Sequence, residues 1–87
     1  MPAALKKNAA PASASSETVA KRLGVAVRRQ RKAKKLTQEV LAERADLSTN
    51  YIGNIERGEY DVTVSTLRRV AVALGCTTSA LLDAAQL

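Results

Sequence analysis

The sequence has no histidine, no phenylalanine and no tryptophan, a single cysteine (Cys76), and only two aromatic residues, Tyr51 and Tyr60. The missing histidine removes the commonest general base and the commonest metal ligand, and no cysteine or carboxylate cluster has metal-ligand spacing. No metal or other cofactor is expected, and with no nucleophile–base pairing to read, no enzyme either. One cysteine excludes an intramolecular disulfide, and Cys76 reads as a small, partly buried apolar filler. No apolar run approaches the roughly 20 residues that span a bilayer, and the N-terminus lacks the apolar segment of a signal peptide. The expectation is a soluble cytoplasmic protein with no membrane partner.

What remains suits a small helical domain. Hydrophobic residues make up 46% of the 87 positions, so in the near absence of aromatics the core must be built from Leu, Ile, Val and Ala. A chain of this length supports one modest core and not two. The net charge of +6 is unevenly spread. Ten of the 14 Lys and Arg residues fall within residues 1–35 against one acid, Glu17, whereas residues 36–87 hold four Arg against seven acids. A basic front half is an electrostatic footprint suited to a polyanion such as nucleic acid. For any one of these charges, the simpler reading is a solvated surface group.

Residues 1–16, rich in Ala, Ser and Pro, read as a flexible arm, with Lys6 and Lys7 either reaching phosphates or merely solvating a leader. Residues 17–87 read as one all-α domain, a compact bundle of about five helices with no strand pattern. Val19, Leu23, Ala26 and Val27 fall at helical spacing and predict a first helix over about 17–33 with a strongly basic outer face. Thr37 caps a second helix to about Ala45, with Leu41, Ala42 and Ala45 inward, and Asp46-Leu47 forms the turn. Ser48 caps a third helix through about Arg57, stopped by Gly58. Thr63 or Ser65 opens a fourth with Leu67, Val70, Ala71 and Leu74 on one face, closed by Gly75. Thr77 caps a short fifth containing Leu81 and Leu82.

The segment from Leu36 to Gly58 therefore reads as two short helices joined by a tight turn, the second starting with small polar side chains. Such a unit lays its second helix in the DNA major groove. With Leu23-Gly24, Arg28 and Arg31, Leu36-Thr37-Gln38-Glu39-x-Leu41-Ala42, Ser48-x-x-Tyr51-Ile52-x-x-Ile55-Glu56-Arg57-Gly58, and the later leucines in view, residues 23–83 resemble the Cro and lambda-repressor type (XRE-like) helix-turn-helix family. Three positions depart from the family pattern. Asp46 stands where the turn usually has Gly, and Val40 stands where a reciprocal capping acid is expected. Asp61-Val62-Thr63 replaces the Pro that often precedes the fourth helix. The last departure is similar, more locally, to the controller proteins of restriction–modification operons.

The resemblance implies a sequence-specific DNA-binding transcriptional regulator, a repressor or an activator, bound as a homodimer to palindromic double-stranded DNA and associated with the nucleoid. By position it implies base contacts from Thr49, Asn50 and Asn54: Asn bridges adenine N6 and N7, and the Thr methyl packs on a thymine methyl. Gln38, Ser48, Tyr51 and Arg57 are implied phosphate contacts, which fix register without reading sequence; Tyr51 equally suits packing against the first helix. Arg31 and Glu56 are implied to form a partly buried, structural ion pair. Glu39 and Glu43 are either an acidic patch for RNA polymerase, as in family activators, or a complement to the helix N-terminus. Leu81, Leu82 and Leu87 serve either a dimer interface or the core. With the chain read as ending at Leu87, no ligand-sensing domain is expected. The competing class is a protein-interaction or antitoxin-type module on the same fold, whose binding would survive alanine at Thr49, Asn50 and Asn54.

Overall fold

A computed structural model describes residues 16–87, with side chains from Thr18 onward. The expected arm, including Lys6 and Lys7, lies outside the described residues except for Ser16, the first residue of helix α1. Five α-helices follow one another: α1 (Ser16–Ala33), α2 (Gln38–Ala45), α3 (Thr49–Glu56), α4 (Val64–Ala73) and α5 (Thr78–Ala84). Among the described residues there is no strand.

The helix starts obey one chemical rule. Thr37, Ser48, Thr63 and Thr77 each sit in extended backbone, and each side-chain oxygen accepts from the amide three residues on, in Val40, Tyr51, Thr66 and Ala80. Each cap satisfies one of the amides that a helix start leaves without a partner. Thr37 does so with Val40 where an acid was expected, because the cap uses only that residue's backbone N–H.

The helix ends obey another. All five close through a residue with positive φ: Lys35, Asp46, Gly58, Gly75 and Gln86. In each case the next residue turns its amide back onto the helix, as Leu36 N–H does to Arg31 O at 3.1 Å and Leu47 N–H to Ala42 O at 2.9 Å. This reversal satisfies the last carbonyls. Only two of the five positions are glycine, so glycine alone marked just two of the stops in the sequence.

The core is aliphatic. Val27, Leu41, Ile52, Ile55, Val70, Leu74 and Leu81 are its largest fully buried side chains. Leu81, at 1% exposure, closes this core and is not available to an interface, while Leu82 packs half-buried against it and Leu87 is exposed. Cys76 is free and half-buried, matching its reading as filler. Helix α1 crosses α3 at Gly24, where a methyl group would stand 2.4 Å from Ile55 O and 2.6 Å from Glu56 O. Only a bare Cα allows this approach.

Candidate nucleic-acid interface

The α2–turn–α3 unit is held rigid from two sides. Asp46 adopts the left-handed conformation at φ 58° and ψ 47°, which a short polar side chain tolerates better than most. Arg69, reaching from α4, donates Nε to Ala45 O at 3.0 Å and its Nη2 to Asp46 O, with the Asp46 carboxylate 3.5 Å away. Arg69 thus staples the carbonyls left over at the end of α2. No sequence pattern singled it out, since it reads as one more exposed cation on α4.

The other support is buried. Arg31 meets Glu56 in a fork, Nε to Oε2 at 2.6 Å and Nη2 to Oε1 at 3.1 Å. A third donor, Arg31 Nη1, goes to Leu36 O at 2.8 Å. Glu56 also accepts from Gln38 Nε2 at 3.0 Å. One carboxylate therefore ties the end of α1, the start of α2 and the end of α3 into one block, and among the described residues no buried side-chain polar atom is left without a partner. The hydrogen bond to Glu56 raises the Arg31 pKa above its already high value against the opposing effect of burial.

On this block the expected site residues fall as follows. Thr49 and Asn50 are exposed on the first turn of α3, and no side-chain hydrogen bond within the described chain occupies them. Ser48 is exposed; its oxygen accepts from Tyr51 N–H, leaving its own O–H to donate. Gln38, the first residue of α2, is half-buried, and one amide N–H goes to Glu56. Asn54 is half-buried and engaged at both ends: its Nδ2 donates to Tyr60 Oη at 3.1 Å, and its Oδ1 accepts from Arg57 Nη2. Arg57 lies back along its own helix across Gly53, its Nε 3.3 Å from Glu59 Oε2. Tyr51 packs half-buried against the core and stacks on Tyr60, ring centroids 5.0 Å apart. Tyr60 was expected only as loop, because its partners lie six and nine positions back on α3. Glu39 and Glu43 are both exposed on α2.

Lys21, Arg22, Arg28, Arg29, Lys32, Lys34 and Lys35 line the exposed side of α1 and its end. Arg31 alone of this run turns inward. No group of His, Cys, Asp or Glu among the described residues is arranged to hold a metal ion, and no described helix is long and apolar enough to cross a membrane.

Residues 27–81 match the model of the helix-turn-helix family. An immunity repressor protein of Bacillus phage phi105 is 48% identical over 59 residues, 68% of this chain and 41% of that protein. The chain thus spans about two-fifths of the length of that relative. The control protein C.SmaI of Serratia marcescens is 46% identical over 56 residues, 64% of this chain and 67% of its own length. Among solved structures, the clp gene regulator ClgR from Corynebacterium glutamicum superposes with a TM-score of 0.76 at 34% identity, over 78% of this chain and 72% of that one. By sequence and by architecture, the chain belongs to the helix-turn-helix family.

Proposed function

We propose that the protein is a DNA-binding transcriptional regulator that sets α3 in the major groove and reads bases with Thr49, Asn50 and Asn54. The observation that carries this reading is the pairing of two exposed, uncommitted polar side chains, Thr49 and Asn50, with a buried network that fixes the helix presenting them. A reading helix discriminates only if its frame is stiff, because a wrong base must be unable to relax into a right one.

Gln38, Ser48 and Tyr51 are the phosphate contacts in this proposal, joined by Arg57 through the guanidinium N–H groups not turned to Asn54 and Glu59. Gln38 suits the role because Glu56 orients its amide while the second N–H stays available at a helix N-terminus, where a partial positive charge favours an anion. The basic side of α1 adds attraction that does not depend on sequence. A single unit this small touches a short stretch of duplex, so the functional form is a homodimer on a palindrome with recognition helices about 34 Å apart. Exposed Glu39 and Glu43 offer an acidic surface to RNA polymerase. The protein is assigned to the cytoplasm, on the nucleoid.

The test is selection of bound duplexes from a random library with purified protein at near-physiological salt. An enriched palindrome supports the proposal, and its half-site spacing defines the dimer. Retention without enrichment, lost steeply as salt rises, means that only the basic surface binds, through the backbone. Binding of a protein partner that survives alanine at Thr49, Asn50 and Asn54 would favour the interaction-module reading.

A further inference from the structure

We propose that Tyr60 and Arg57 are positioning residues that lock the side-chain amide of Asn54 in the one orientation able to read adenine. The inference deepens the DNA-reading function proposed above and rests on it.

An asparagine amide carries two N–H donors on nitrogen and two lone pairs on oxygen, and rotating it by half a turn exchanges the two ends. Tyr60 alone does not distinguish these states, because a phenol both accepts and donates. Arg57 does, because a guanidinium only donates. Its Nη2 faces Oδ1, and in the turned state it would face the Nδ2 donor instead. Tyr60 Oη then takes one N–H at 3.1 Å and fixes the remaining rotation.

Both supports are themselves anchored. The Tyr60 ring stacks on Tyr51, which is packed against the core. Arg57 is held by Glu59 Oε2 at 3.3 Å and lies over Gly53, where even a methyl group would come within 3.2 Å of its Nη1. After these bonds, Asn54 keeps one N–H and one lone pair. That is the set required for the bidentate pair with adenine N7 and N6. The loop after α3 thereby contributes to specificity without touching a base.

The test compares the full-length protein with Tyr60→Phe, Asn54→Ala and the double variant. Tyr60 is exposed, and Phe keeps the ring stack, so the fold is retained. Two readouts are taken: the Asn54 side-chain amide by NMR in the free protein, and base preference at each position of selected duplexes. We expect Y60F to increase the mobility of the Asn54 amide and to reduce preference roughly threefold to tenfold at the same base pair that N54A flattens. Affinity for unrelated duplex and the melting temperature stay unchanged, and the double variant loses no more than N54A alone. Where the wild type selects a sequence, full preference in Y60F, or an N54A variant that flattens no position, overturns the proposal. An amide freed by Y60F in a protein that selects no sequence at all leaves the positioning intact and removes the DNA-reading function instead.

Discussion

Arg31 and Glu56 lie 25 positions apart in sequence and face each other through two hydrogen bonds of 2.6 and 3.1 Å, with side chains 10% and 1% exposed. Removing one partner from such a pair leaves an uncompensated charge in a poorly solvated place, at a cost of about 3–5 kcal/mol. Arg31→Met is therefore expected to lower unfolding free energy by that order in urea titrations, and to weaken DNA binding only as a consequence of lost fold. Adding Glu56→Leu should recover much of the loss, because it removes the orphaned carboxylate. A single variant costing less than about 1 kcal/mol would mean that the pair behaves as an exposed one.

The same pair has a defined response to pH. Folding raises the Arg31 pKa, so the stability linked to its protonation is fully present below the ordinary arginine value and is lost only as pH rises past the folded one. The stability difference between wild type and the double variant Arg31→Met with Glu56→Leu, which leaves no orphaned carboxylate to titrate, should then hold constant from about pH 7 to pH 10. Urea midpoints at three pH values check this. A difference that shrinks within that window would show that another group supplies the linkage.

Gly24 gives a steric prediction. The atoms a new Cβ would strike are the carbonyl oxygens of Ile55 and Glu56, which are backbone at the end of α3 and cannot rotate away. Gly24→Ala would ordinarily favour a helix interior by about 1 kcal/mol. Here it should instead destabilise, by roughly 1–3 kcal/mol, the range for overpacking. It should also disturb the Arg31–Glu56 fork, because Glu56 is one of the residues struck and Arg31 lies about two helical turns along α1 from Gly24. Thermal unfolding with an Ala scan of exposed α1 positions as controls separates the two effects.

The sequence was legible wherever one residue carried its own signal. Thr37, Ser48 and Thr77 are caps because a hydroxyl followed by an aliphatic period has few other uses, and each caps in the structure; between Thr63 and Ser65 the sequence left the choice open, and the structure selects Thr63. The buried faces of α2 and α4 followed from the same period. Signals failed where the meaning of a residue depends on a partner far along the chain. Arg69 and Tyr60 look like ordinary surface residues until the fold brings Ala45 O to one and Asn54 to the other. Leu81 and Leu82 are adjacent leucines on one short helix, and only the packing decides that the first closes the core. The Arg31–Glu56 pair came from family resemblance, since neither spacing nor charge marks those two residues among so many others.

Asp46 tests the turn. Its left-handed backbone costs a residue with Cβ roughly 1–2 kcal/mol, less for Asp than for most and nothing for Gly. Unfolding free energies should rank Asp46→Gly at or slightly above wild type, and Asp46→Val about 1–2 kcal/mol below it. Parity of the Val variant with wild type would mean that the Arg69 staple, and not the intrinsic preference of residue 46, sets the turn.

Under the proposed function, Gln38 and Asn50 distinguish the contacts that grip from those that read. Gln38 begins α2 and donates to Glu56; under the proposed function its remaining N–H takes a phosphate, which looks the same on every sequence. Asn50 is exposed on the first turn of α3 with its amide uncommitted, the state a base-reading side chain requires. Gln38→Ala should lower affinity by a similar factor for the selected operator and for mismatched duplexes, leaving the specificity ratio unchanged. Asn50→Ala should instead flatten the preference at one base pair, at about 1–3 kcal/mol of lost discrimination, with little change in binding to unrelated DNA. Neither residue is charged, so both variants should keep the wild-type dependence of affinity on salt, which lysine and arginine on α1 would set. Competition binding at two salt concentrations measures all three quantities. A Gln38 variant that alters base preference would place the start of α2, rather than α3 alone, among the elements that read sequence.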